Sequence, residues 1–352
     1  MSDHDKRSFS PKRRDFLKAA GSAGAGLVLA GPATQRAAAQ DAAAAQLDRN
    51  KAVALRFKKA QGTKEMPQVE KEVLAPNYKR LRGGMLHLAN NARDQGHPST
   101  GSYLRGAFPD RVDVVEQVIA EGDKVGLLFR LTGTHSGNLF GIAPTGKKVD
   151  VYEIAILKLS QEKIVEGWFM ADEAGLLKQL GAKLPPRKDD KVIAPEISDV
   201  GEDGDVVLKR LMEKPPATQA DRNRIVVARS KSSTPAKGDR AADFKQRRPG
   251  FQNMRVYGDA NGVGHERLVG ALPDRRDTIH DLIAEGDKMW MQFQVRGTQT
   301  ARLYGLAPTG RRISVPEVGV ATFAGGKWQE GWYFADELGA LLQLGVPNLL
   351  VS

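Results

Sequence analysis

Two aspartates, Asp172 and Asp336, each follow a run of bulky side chains, Trp168-Phe169-Met170 and Trp332-Tyr333-Phe334. Apolar and aromatic walls disfavour the charged form of a carboxyl group, so its pKa rises and it can exchange a proton with a carbon acid near neutral pH. Glu153 and Glu317 are a second candidate pair. Each shares side-chain parity with apolar strand residues, Val151 and Leu157 or Val315 and Ala321, and is expected to point inward. With Asp172, Glu153 would form a carboxylate pair of separated pKa values. His135 is a third candidate, and Gln299 stands in its place in the second half. Each has a structural reading too: an aspartate between strand and helix is a good N-cap, Glu153 can pair with a cross-strand Lys or Arg, and a turn histidine can face solvent. Glu166 and Glu330 are expected to point outward.

Other chemistries find no support. The chain has no cysteine, so disulfide and thiolate chemistry are impossible. His87 and His97 are placed to gate a first pocket, but no histidine pair joins a carboxylate at metal-ligand spacing, and neither a metal nor an organic cofactor is expected. The repeated Ala-Pro-Thr-Gly, from Ala143 and from Ala307, lacks the strand, Lys-Ser/Thr and helix of a phosphate loop and reads as a hairpin turn.

These candidates recur because the chain repeats itself. Ala-Glu-Gly-Asp-Lys, Ala-Pro-Thr-Gly, Glu-Gly-Trp and Ala-Asp-Glu each occur twice at a spacing of 164, and 33 of 74 ungapped positions from Phe108 to Gly181 are identical. Upstream, Asp48-Arg49-Asn50 matches Asp221-Arg222-Asn223 at a spacing of 173, and Pro76 and Tyr78 are paired with Pro249 and Phe251 at the same spacing. On that alignment the second copy lacks about nine residues between Phe251 and Leu272.

Within one copy the pattern predicts a helix over 50–60, strands over 112–120, 124–133, 148–159 and 163–170, and a closing helix over 172–180 that Gly181 stops. An antiparallel sheet with helices on one face is an α+β solution, and a curled sheet would leave a ligand pocket. The domain limits read as 41–181 and 221–352, the second shortened and the better candidate for a structural half. The proline-rich, charged segment 182–220 reads as a linker with one short helix near Val206–Met212.

The first 40 residues read as a cleaved twin-arginine export signal. Lys12-Arg13-Arg14-Asp15-Phe16-Leu17-Lys18 precedes a Gly-rich, weakly apolar run and small residues at Ala37–Ala39. The protein is therefore expected in the periplasm or outside the cell, without a stable membrane anchor after cleavage. The net charge of +11 falls on removal of this basic leader. What remains is scattered and not interleaved with aromatics, so no nucleic-acid partner is expected.

The run from Ala107-Phe-Pro-Asp110 through Thr132-Gly-Thr-His-Ser-Gly-Asn-Leu-Phe-Gly-Ile-Ala-Pro-Thr-Gly146 and Lys163-Ile-Val-Glu-Gly-Trp168 to Asp172–Gly181 resembles the SnoaL-like polyketide or ester cyclases of the NTF2-like class. The second copy resembles them more loosely. The resemblance implies two tandem cone-shaped α+β domains, each a curved antiparallel sheet around a mostly apolar pocket. It also implies that an aspartate at the position of Asp172 is the general acid/base of an aldol ring closure that uses no cofactor. The chain departs from the family at Gly167 and Gly331, where many members carry histidine. Two functions follow as expectations: a cofactor-independent cyclase or isomerase acting on a small apolar or carbonyl compound, or a non-catalytic periplasmic protein that binds such a molecule or interacts through the same pocket. Such domains often pair through their sheets, so an internal pseudo-dimer is expected.

Overall fold

The computed structural model describes residues 32–93, 100–262 and 268–351. The twin-arginine motif and His97 lie outside the described residues. From Ala45 on, the chain forms one compact unit.

In the first copy, helices α1 (Pro32–Lys59) and α2 (Met66–Val73) lead into strand β1 (Leu74–Arg82). Helices α3 (Leu86–Arg93) and α4 (Thr100–Ala107) follow, then β2 (Val112–Glu121), β3 (Lys124–Thr134), β4 (Lys148–Ser160), β5 (Lys163–Ala171) and α5 (Glu173–Leu180). The four strands expected from alternation form an antiparallel meander ordered β5-β4-β3-β2. β1 adds a parallel edge beside β5, with Leu74 opposite Ile164 and Arg82 opposite Trp168. α5 starts where the Asp172 side chain accepts the Gly175 N–H and stops at Gly181, whose φ of 63° is the left-handed conformation glycine adopts freely.

The second copy repeats this plan with α7 (Gln219–Arg229), β7 (Arg240–Arg248), α8 (Gln252–Ala260), α9 (Leu268–Ala271), β8 (Arg276–Glu285), β9 (Lys288–Thr298), β10 (Arg312–Ala324), β11 (Lys327–Ala335) and α10 (Glu337–Leu344). Part of the expected linker joins it. β6 (Glu202–Asp203) pairs with β8, and α6 (Gly204–Met212) buries Val207 and Leu208 in the second core. The short helix foreseen near Val206–Met212 is thus present, as a packed element.

Strand register corrects the alignment of the two copies. Trp168 lies opposite Arg82 and Trp332 opposite Arg248, so β1 and β7 correspond at a spacing of 166. Tyr78 therefore answers to Phe244, not Phe251. Most of the missing length lies before β7: the second copy has no counterpart of α2, only a short 3-10 turn at Lys237–Asp239. The assignment of Pro249 and Phe251 failed because single residue identities do not define a register, whereas ladder pairing does.

Side chains alternate between the two faces of each sheet. Val125, Leu127 and Phe129 of β3 with Ala155 and Leu157 of β4 pack on Ala54, Phe57, Met66 and Val69 from the helical layer. The opposite face carries Leu128, Ile154, Ile156 and Met170, which share one apolar cluster with Ile283, Trp290, Val318, Val320 and Phe334 of the second copy. The two faces of the sheet thus have separate tasks: one builds a domain core and the other meets the second copy.

Candidate functional site

Beneath the helical layer of the first copy is a cavity of about 210 Å³, lined among others by Lys58, Arg111, Glu153, Met85 and Phe169. Lys58 comes from the last turn of α1 and Arg111 from the entry to β2; Glu153 comes from the inward face of β4. Asp113 pins both cations. Its carboxylate accepts from Arg111 Nε at 2.8 Å and Nη2 at 2.9 Å, and Lys58 Nζ lies 2.6 Å away. That ammonium also sits 3.3 Å from the centre of the Phe129 ring. Burial pushes the Lys58 amine down, further than Glu153 and Asp113 draw it up. Burial alone would raise Asp113, but the charges of Lys58 and Arg111 outweigh it and hold that carboxyl low. Glu153 rests against the chain at Gly84, where a β-carbon would overlap its carboxylate.

The second copy builds the same constellation. Lys231 Nζ lies 3.1 Å from Asp277 and 3.3 Å from the centre of the Phe293 ring, and Arg275 holds Asp277 through two bonds of 2.8 Å. Glu317 lies against Gly250 as Glu153 does against Gly84. Burial pushes the Glu317 carboxyl up, against the pull of Lys231 and Arg275. Sequence reasoning singled out the two glutamates and missed the Lys and the Arg-X-Asp. Their signal was retention of Lys58/Lys231 and of Arg111-Val-Asp113/Arg275-Arg-Asp277 in both halves.

Asp172 and Asp336 lie elsewhere. Neither lines these cavities; each is bonded to the other copy. Asp336 accepts from Arg82 Nη2 at 2.9 Å and lies 2.7 Å from His87 Nε2, while capping α10 through the Gly339 N–H. Asp172 accepts from Arg248 Nη2 at 2.9 Å and Asn253 Nδ2 at 2.8 Å, while capping α5. His87 is therefore part of this junction, not of a pocket mouth. The aromatic runs divide by strand parity: Phe169 and Tyr333 line the cavities, whereas Trp168, Met170, Trp332 and Phe334 face the opposite copy. Asp172 follows the parity of Trp168 and Met170, which the sequence reading treated together with Phe169 as one wall.

His135 is fully buried. Its Nδ1 accepts the Thr145 N–H at 3.2 Å, bracing the loop that ends at Gly146, and its ring leans on Phe108. Burial lowers its pKa. Gln299 braces the matching loop, its Oε1 accepting the Thr309 N–H at 2.7 Å and the Thr309 hydroxyl at 2.6 Å. The exchange of His for Gln thus preserves a brace. At Gly167, a β-carbon would meet the Tyr78 hydroxyl, so the position cannot take a larger residue while Tyr78 packs there.

The two junctions differ by one residue and so respond differently to pH. Burial disfavours the His87 cation, but the Asp336 charge and hydrogen bond prevail and raise its pKa. At the other junction Asn253 occupies the place of His87. Buried Glu337 there accepts from the Asn253 and Met254 N–H groups, and burial with the nearby charge of Asp172 pushes it up to about 8. The His87 contribution to stability is complete below its unfolded value, about 6.5, and is lost as pH rises through the folded value. Glu337 keeps its proton in the folded state until pH nears about 8, so its penalty grows as pH rises from the ordinary 4.5 to that value. Both effects make stability fall with rising pH. Lys58 and Lys231, whose values are lowered, act with the opposite sign, so the test is a comparison of proteins. The drop in urea midpoint between about pH 5 and about pH 8 should be smaller in Glu337→Gln than in the wild type; equal drops would refute the assignment.

Among the described residues no group of three or more His, Cys, Asp or Glu is placed to hold a metal ion, and no helix is long and apolar enough to cross a membrane.

The SnoaL-like polyketide cyclase family model matches residues 95–180 and 241–344, together more than half of the chain. A protein of Jannaschia sp. CCS1 provisionally described as a SnoaL-like polyketide cyclase is similar at 23% identity, covering 40% of this chain and 94% of its own, with a TM-score of 0.32. IdmH of Streptomyces antibioticus, provisionally described as a polyketide cyclase, is similar at 24% identity, covering 38% of this chain and 99% of its own, with a TM-score of 0.31. AclR of Streptomyces galilaeus, provisionally described as a hydroxylase, is similar at 25% identity, covering 38% of this chain and 97% of its own, with a TM-score of 0.32. No curated protein matches the sequence. With the family motifs present in both halves, the chain belongs to the SnoaL-like polyketide cyclase family.

Proposed function

We propose that the first cavity carries out a cofactor-independent proton transfer on a small carbonyl compound, a reaction of the cyclase or isomerase type. One observation carries this reading: Glu153 shares a small cavity with two cations that Asp113 already holds in place. Glu153 takes the proton from carbon, and the electron pair moves onto the carbonyl oxygen. Lys58 and Arg111 stabilise the enolate oxygen, and the carbanion then either attacks a second carbonyl, whose new alkoxide takes the proton from Glu153, or takes that proton back at carbon. Phe57, Met85, Leu104 and Phe169 line the same cavity and limit water. Asp172 and Asp336 have no part in this scheme, because their oxygens are occupied by the opposite copy and by their own helices.

The check is deuterium incorporation into a panel of simple ketones and 3-oxo esters in D₂O, followed by NMR. The mature protein should exceed the buffer rate, and Glu153→Gln should lose about 10²-fold or more. Exchange that survives in Glu153→Gln but vanishes in a folded Asp172→Asn protein would overturn the assignment. Binding without exchange would favour the non-catalytic alternative.

The proposal includes export by the twin-arginine route, supported by Arg13-Arg14-Asp15-Phe16-Leu17 and the run that follows. Arg13→Lys with Arg14→Lys should leave the protein in the cytoplasmic fraction. An exported enzyme would be separated from the activated precursors of polyketide assembly, so the substrate would be a finished small molecule. We also propose that the copies act as an internal pseudo-dimer, a reading supported by their shared apolar cluster and by the reciprocal bonds of Asp172 and Asp336.

A further inference from the structure

We propose that the cavity of the second copy is a binding site for a small organic acid, held by Arg255 and Arg240 with the hydroxyls of Tyr304 and Tyr333. This cavity, about 540 Å³, is larger than that of the first copy. The absence of an α2 counterpart accounts for the difference, since Met66 and Glu70 of α2 close the first cavity.

The lining has diverged: its basic residues keep their number but two of them change place, and two phenols are added. Lys231, Arg275, Asp277 and Glu317 match the first copy, but other lining positions do not. Arg240 stands where the first copy has Leu74, Arg255 where it has Ala89, Tyr304 where it has Phe140 and Tyr333 where it has Phe169. Four apolar side chains have thus become two cations and two phenols. Arg80 and Arg105, which line the first cavity, give way to Gln246 and Val269. Both of those arginines are exposed, as is Arg240, whereas Arg255 is half-buried and Tyr304 and Tyr333 are buried.

The charges in the second cavity are not balanced. Lys231 and Arg275 share Asp277, whereas Arg240 and Arg255 make no ion pair among the described residues. Arg240 lies over the Phe244 ring, 4.7 Å from its centre, which holds its guanidinium in place. Among the described residues, four basic side chains thus face two carboxylates, Asp277 and Glu317. A guanidinium at a cavity wall with no ion pair among the described residues is suited to a carboxylate, which it can take through two parallel N–H bonds. Burial pushes Tyr304 up to about 12 and raises Tyr333 as well, so both phenols stay protonated and can donate to an anion.

The test is calorimetric titration of the mature full-length protein with benzoate and with succinate, beside benzamide and inorganic phosphate. At least one carboxylate should bind saturably and more weakly at high salt, with benzamide bound at least about tenfold more weakly. Arg255→Gln should weaken the carboxylate about tenfold or more while the thermal midpoint of the free protein stays the same. Tyr304→Phe, which restores the first-copy side chain, should weaken it by a smaller factor. The proposal fails if neither carboxylate saturates, if phosphate binds more tightly than both, or if Arg105→Gln in the first copy, and not Arg255→Gln, abolishes binding.

Discussion

Replacing Asp336 by alanine is expected to destabilise the folded protein by about 3–5 kcal/mol, read from equilibrium urea unfolding. The loss comes from what the substitution leaves behind. Arg82 is 8% exposed and His87 4% exposed, and both direct their charge at Asp336. Without the carboxylate, Arg82 remains as a buried cation and His87 loses the charge that favours its protonated form, beside Glu173, whose oxygens already accept the backbone N–H groups of His87 and Leu88. The cap of α10 is lost as well, adding about 1 kcal/mol. Asp172→Ala should cost less. Its side chain is 16% exposed, its partners are one arginine and the neutral Asn253, and its removal relieves the repulsion felt by Glu337. The order of the two losses separates a junction from a catalytic pair. If both variants unfold like the wild type and both lose turnover, the aspartates belong to the chemistry and the junction reading is wrong.

Trp290→Ala is the second large change, with an expected cost of about 3–5 kcal/mol. Trp290 is 1% exposed in the cluster between the two sheets, and its ring lies against Gly126 of the first copy. Gly126 and Trp290 occupy the same position in the repeat, 164 residues apart. A symmetric pair of identical copies would bring together two tryptophans or two glycines. In this chain one copy supplies the bulk and the other the space, so each surface fits its twin better than itself. A β-carbon at Gly126 would approach the Trp290 ring to 2.8 Å, so Gly126→Ala should cost about 1–3 kcal/mol by overpacking, and much less when Trp290 is already alanine. Among the described residues the indole Nε1 finds no acceptor, which offsets part of the gain from burial. A loss below about 1 kcal/mol in Trp290→Ala would mean that this contact does not hold the copies together.

The sequence reading found the strands and the closing helix to within a residue or two because their signals are local. Alternation of Val, Ile and Leu, the turn at Glu121-Gly122-Asp123, the cap at Asp172 and the stop at Gly181 act over a few residues. Parity also turned Glu153 and Glu317 inward. The elements between Lys79 and Ala107 were harder to read. β1 is a mostly exposed edge strand without clear alternation, and α3 and α4 are short. The place of β1 depends on β5, which lies about ninety residues further along the chain.

The sequence by itself determined that one α+β unit occurs twice and which face of each central strand is apolar. It held no statement of what lies across from either face. Only tertiary structure decided that Asp172 and Asp336 reach into the opposite copy, that Lys58 and Arg111 converge on Glu153, and that loss of α2 widens the second cavity. The physical reason is the range of the signal: periodicity and capping are set by neighbours along the chain, whereas a partner across an interface is set by packing between residues up to 254 positions apart, as for Arg82 and Asp336.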